Sequence, residues 1–272
     1  MSSGHSRLDQ LPASLRAALA ERRLLKVIAG LTNFDAASVE RVSLAAGRGG
    51  ADLIDVACDP VLVERAAALS GLPICVSAVD PALFPAAVAA GAALVEIGNY
   101  DAFYPLGRVF DAAEVLDLTR RTRKLLPATV LSVTVPHGRP LDEQEQLAVD
   151  LVAAGADIIQ TEGGTSARPL SPGTLGLIEK AAPTLAAAHA ISRALAAAAE
   201  EAPAAPVLCA SGLSAVTLPL ALAAGAAGVG VGSAVNRLED ELAMLAVVRG
   251  LRQAIAGVRT VSPERPALYD QP

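Results

Sequence analysis

Short apolar runs recur along the chain from Leu24 to Val231, separated by longer Ala/Leu-rich stretches whose apolar positions fall three and four apart. Runs of this length, bounded by Gly, Pro and Asp, read as buried strands, and the stretches between them read as helices. Six strands are predicted at 24–30, 52–57, 73–79, 94–98, 130–135 and 157–162, and two more lie within VLCASGLSAVTLPLALAAGAAGVGVGSAVN at 207–236. Helix starts are marked by caps. Ser14 opens a short helix at 15–23, Asp35 one that reaches about 47, and Asp59-Pro60 and Asp80-Pro81 the next two. Asp111 and Glu114 form a capping-box pattern, and Asp142 with Glu145 forms another cap. A helix at 175–199 is expected to break near Pro183, and the final helix covers 239–256. Strict alternation of strand and helix predicts a parallel sheet, and eight units predict closure into a TIM (β/α)8 barrel. The barrel takes 24–257, after an N-terminal extension at 1–23 and before a loose, Pro-rich tail at 258–272.

A repeat supports this register. Four helices end in Gly-Ala just before a strand, at Gly50-Ala51, Gly91-Ala92, Gly155-Ala156 and Gly225-Ala226. The strands that follow align as ADLIDVA, AALVEIG, ADIIQTE and AAGVGVG. Strand side chains alternate between faces. One face carries Ile54, Val56, Val95, Ile97, Val229 and Val231, and is predicted to pack on the helices. The other carries Lys26, Asp55, Cys75, Ser77, Glu96, Ser132, Thr134, Gln160, Glu162, Cys209, Ser211 and Gly228-Gly230-Gly232, and is predicted to face the lumen. The interior is therefore expected to be polar and partly ionised, with the three glycines leaving room for a ligand. A buried lysine needs carboxylates close by.

Composition narrows the function. The 272 residues match one barrel. A formal charge of −6 excludes a broad basic surface for nucleic acid. No window is apolar enough to predict a membrane span, and the polar MSSGHSRLDQ start lacks a signal-peptide core. Cys58, Cys75 and Cys209 have no metal-ligand spacing and no disulfide pattern, so reduced thiols, a cytoplasmic setting and no metal are expected.

Loops after the seventh and eighth strands of such barrels often hold phosphate. Ser211-Gly212 and Gly232-Ser233 have suitable chemistry, because glycine lets the backbone approach an anion. TEGGTSARP adds Gly163, Gly164, Thr165 and Arg168 as a third arm. Lys26 is a candidate base or Schiff-base lysine, with a structural ion pair as the alternative. Asp55 and Glu96 share a register and can split their proton affinities, as acid and base. Glu162 joins them on the inward face, and His137 ends the fifth strand at the mouth, either as a proton carrier or as a loop residue. Cys209 reads as a core thiol, and His5 and His189 as structural or solvated. Tyr100, Phe103, Tyr104 and Phe110 crowd one mouth loop, which is either a lid for a flat ligand or a loop docked on the rim.

KVIAGLTNFD, LPICVSAVDP, IIQTEGGT, PGTLGLIEK and VLCASGL resemble the barrel family called hypothetical chloroplast reading frame twenty-three, of cyanobacteria and plastids. The resemblance covers roughly 24–256 and implies a fold and a cytoplasmic or plastid setting, with no reaction attached. The run LAAAAEEAPAAP at 195–206 is longer than that family's usual link. More distantly, the chain resembles ribulose-phosphate-binding barrels of aldolase type, such as the tryptophan synthase α chain. That likeness implies proton transfer at Asp55 and phosphate at Gly164, Gly212, Gly232 and Ser233. A similar layout in flavin-dependent nitronate monooxygenases keeps FMN open as a cofactor. The expectation is a lyase, isomerase or synthase on a small phosphorylated molecule. An FMN oxidoreductase and a non-catalytic metabolite binder are the alternatives, and homo-oligomerisation is left open.

Overall fold

In the computed structural model, residues 6–164, 167–199 and 203–258 are described. The chain runs α1(Ala13–Ala20), β1(Leu24–Gly30), α2(Ala36–Gly49), β2(Leu53–Ala57), α3(Pro60–Ser70), β3(Ile74–Ala78), α4(Phe84–Ala89), β4(Leu94–Ile97), α5(Ala112–Leu125), β5(Val130–Thr134), α6(Leu141–Ala153), β6(Ile158–Gln160), α7(Gly173–Ala198), β7(Val207–Ala210), α8(Leu218–Ala223), β8(Gly228–Val231), α9(Ser233–Asn236) and α10(Glu241–Ala256). The eight strands are all parallel and close in sequence order into a barrel, with β1 paired to both β2 and β8.

The Gly-Ala repeat has a physical cause. Gly50, Gly91, Gly155 and Gly225 all take positive φ, between 85° and 119°. The N–H of each following alanine donates to a carbonyl five residues back: Ala46, Ala87, Leu151 and Ala221. This is a Schellman ending, in which a left-handed glycine lets the next amide satisfy an orphaned helix carbonyl. The chain then leaves the helix at a set angle and enters the strand.

Asp35, Asp59, Asp80 and Asp111 cap as expected, although Asp80 opens a 3₁₀ turn ahead of α4. Other expectations are corrected. The first helix begins after Pro12, not at Ser14, because the Pro12 carbonyl already accepts from the amides of Leu15 and Arg16. In the same way α6 begins after Pro140, with Asp142 in its first turn rather than at the cap. No break occurs at Pro183, which lies inside the continuous helix α7. The last helix starts at Glu241, because Asp240 caps it by accepting from the amide of Ala243.

Sidedness holds on seven strands and is inverted on β7. Lys26, Asp55, Ser77, Glu96, Ser132, Thr134 and Gln160 meet inside the barrel. Cys209 instead faces outward, with its Sγ 3.6 Å from Thr184 Oγ1 on α7. Leu208 and Ala210 point inward: Leu208 joins the lower lumen cluster, and a Cβ on Gly230 would lie 3.0 Å from that of Ala210. VLCA carries no strongly polar marker on either face, so its alternation alone does not choose a side. Ser211 then takes φ 73°, which turns the chain and separates its side chain from the strand's alternation.

The lumen is layered. Its lower third is apolar, built from Leu24, Leu53, Leu94, Val130, Ile158 and Leu208, and plugged from below by Leu11, Leu15, Ala18 and Leu19. Residues 11–19 of the N-terminal extension thus form the barrel's floor. Leu15 is 1% exposed, so Leu15→Ala is expected to cost about 2–5 kcal/mol, read by urea denaturation. The inward glycines do not leave the expected room. Leu24 and Leu208 fill the space beside Gly228, and Ile28 and Gln160 the space beside Gly230. Only Gly232 stands at the open end, in the wall of a cleft.

Candidate active site

The middle lumen layer is a sealed ionic cluster. Lys26 Nζ lies 2.7 Å from Glu96 Oε2 and 3.4 Å from Asp55 Oδ2, and all three residues are at most 1% exposed. Ser77 Oγ donates to Asp55 (2.7 Å), and Ser132 Oγ and Gln160 Nε2 donate to Glu96 (2.8 and 2.7 Å). Burial pushes Lys26 down, but Glu96 and Asp55 outweigh it and hold the ammonium well above its ordinary value. A lysine so held is not the free amine that an imine requires. Burial pushes Asp55 up to about 6, with Lys26 opposing and Glu96 adding to the rise.

This shift sets a pH dependence. Asp55's folded value lies above its unfolded one, so its stabilising contribution is present at low pH and is lost as pH rises from about 4 through about 6. Asp55→Asn is expected to flatten the fall in stability over that window, measured by thermal unfolding at several pH values.

Asn99 roofs the cluster. Its Nδ2 reaches Ser77 Oγ and Glu96 Oε1 at 3.2 Å and Asp55 Oδ2 at 3.4 Å. Asn99 has φ 61°, a left-handed conformation that asparagine tolerates better than most residues. Above it, Asp101, His137 and Glu162 converge from the loops after β4, β5 and β6. His137 Nδ1 lies 3.1 Å from Glu162 Oε1 and 3.9 Å from Asp101 Oδ1, and Tyr104 donates its hydroxyl to Glu162 Oε1. The hydrogen bond to Glu162 raises His137 above its ordinary value, against the opposing effect of burial, and burial raises Glu162. Asn99 and Asp101 are not legible in the sequence as site residues, because a Gly-Asn-Tyr-Asp loop carries no motif.

The glycine loops expected to hold phosphate do meet. Gly164 N donates to Ser211 Oγ (2.9 Å), which donates to Asp101 Oδ2 (2.7 Å). Gly164, Gly212 and Ser233 line a cleft of about 150 Å³ together with Lys180 and Arg237. Ser211, Gly212, Gly232 and Ser233 line an adjoining cleft of about 110 Å³ that reaches Asn99 and Asp101. Neither Lys180, within α7, nor Arg237, just after α9, is singled out by the sequence, because no periodicity marks a cation at either position as a ligand group. Gly163 is buried beside Pro183 and His137. Arg168 is exposed while its neighbours Ala167 and Pro169 line the cleft. Thr165, His5 and the tail from 259 lie outside the described residues.

The aromatic loop docks on itself. Tyr100 and Phe110 are buried with ring centroids 4.4 Å apart, and Arg108 stacks 4.3 Å over Phe110. Neither face of that pair is left open to a flat ligand. A larger cavity, about 490 Å³, lies at the opposite end of the barrel, between α1 and the 203–207 segment. Catalytic groups of these barrels sit at the C-terminal end of the strands, where the smaller clefts are.

The family model described as "Protein of unknown function (DUF561)" matches residues 11–261. The chain belongs to the DUF561 family. "Uncharacterized protein ycf23" of Cyanophora paradoxa is 41% identical over 228 residues, covering 84% of this chain and 90% of the relative. Its counterpart in Pyropia yezoensis is 35% identical over 244 residues, covering 90% and 86%. Solved structures share the fold of this DUF561 member. The (S)-3-O-geranylgeranylglyceryl phosphate synthase of Thermoplasma acidophilum, in complex with its substrate sn-glycerol-1-phosphate, matches with TM-score 0.55 at 15% identity over 89% of this chain and 97% of that one. A 3-hexulose-6-phosphate synthase matches with TM-score 0.57 at 16% identity, over 85% and 99%. No helix among the described residues is long and apolar enough to cross a membrane.

Proposed function

We propose that this DUF561 protein is an enzyme, a lyase, isomerase or synthase, acting on a small phosphorylated metabolite. The observation that carries the reading is the cleft where the loops after β6, β7 and β8 meet. It combines close-approaching glycines with two cationic side chains, Lys180 and Arg237. The substrate's phosphate sits there, held by charge-assisted hydrogen bonds. Its carbon skeleton crosses Gly212 and Ser233 into the adjoining cleft, against Asn99 and Asp101. Lys26, Asp55 and Glu96 act as positioning residues that hold Asn99 from below. The described thiols are free and buried, which agrees with work in a reducing cytoplasm or plastid.

The two clefts are small beside the ~300–1,000 Å³ of a typical cofactor pocket, which disfavours a bound FMN. The test is calorimetric titration with inorganic phosphate and with three- to five-carbon sugar phosphates. Saturable binding that Arg237→Ala and Lys180→Ala each weaken is expected. Absence of binding in the parent protein, or binding indifferent to both substitutions, overturns the reading.

A further inference from the structure

We infer that Asp101, His137 and Glu162 form a site for one divalent transition-metal ion at the barrel mouth. Their ligand atoms all lie within 4.8 Å of one another. His137 Nδ1 comes within 3.1 Å of the Glu162 carboxylate, at its Oε1, so imidazole and carboxylate already meet at one point of the mouth. The 3.9 Å to Asp101 Oδ1 closes with a small side-chain rotation.

Two buried oxygens point to an occupant. Asp101 Oδ1 and Glu162 Oε2 have no hydrogen-bond partner among the described residues, and Glu162 is only 3% exposed. Buried carboxylate oxygens are ordinarily satisfied, so each calls for a cation or a donor. The remaining oxygens are already oriented, Glu162 Oε1 by Tyr104 and Asp101 Oδ2 by Ser211, as ligands to a metal commonly are. A second cluster, Asp55, Cys75 and Glu96, has similar spacing, but the Lys26 ammonium already occupies it. No lysine or arginine among the described residues pairs with the carboxylates of the mouth cluster. One imidazole and two carboxylates suit Mn²⁺, Fe²⁺, Co²⁺ or Zn²⁺. Asp101 also lines the cleft that adjoins the proposed phosphate loops, so an ion held there would lie beside that cleft and would supply a Lewis acid to a substrate oxygen. The ion site goes beyond the phosphate reading and does not depend on it.

The experiment titrates Co²⁺ into full-length protein stripped with a chelator, followed by visible absorption and calorimetry. One equivalent is expected to bind, with Zn²⁺ displacing it. Glu162→Gln and Asp101→Asn, both close in shape to the native residue, are expected to weaken binding about tenfold or more, with circular dichroism confirming the fold. Arg237→Ala is expected to lose phosphate affinity and keep Co²⁺, which separates failure of one site from failure of the other. No saturable binding near one equivalent, or unchanged binding in both carboxylate variants, overturns the inference.

Discussion

Lys26→Met is expected to destabilise the protein by about 3–5 kcal/mol, the cost of leaving buried carboxylates without their cation. Among the described residues the ammonium is the only cation paired with Asp55 and Glu96, and the three side chains are at most 1% exposed. Water cannot replace it without opening the barrel. Adding Glu96→Gln to Lys26→Met is expected to recover part of the loss, because one of the stranded charges is removed. Urea denaturation of the single and double variants measures both effects. A loss below about 1 kcal/mol for Lys26→Met would show that the cluster is not a sealed ion pair.

Gly164→Ala is expected to lower phosphate affinity more than tenfold. A Cβ at this position would lie 2.3 Å from Gly212 N and 2.5 Å from Ser211 C, both backbone atoms. The turn after β7 must move away, and it forms one wall of the proposed cleft. Gly138→Ala is the control, since a Cβ there meets nothing within 4 Å. Calorimetry with inorganic phosphate compares the two. Equal affinity in both variants would remove Gly164 from the cleft wall.

Both expectations depend on contacts that join distant parts of the chain, and the two differ in how far the sequence reveals them. The ionic cluster is foreseeable, because Lys26, Asp55 and Glu96 interrupt apolar strands at inward positions. The mouth is only partly so. Its glycine turns follow recognisable strands, but Asn99, Asp101, Lys180 and Arg237 lie where no periodic signal marks them.

The order of strands and helices, the Gly-Ala helix endings and most of the strand faces follow from local rules, since alternation and capping depend on neighbours a few residues apart. Tertiary structure alone decided the facing of β7, the plugging of the lumen by α1, and the meeting of Asp101, His137 and Glu162. Each of these depends on which side chains fill a shared volume or share a charge across the barrel, and such choices are made between segments far apart in sequence.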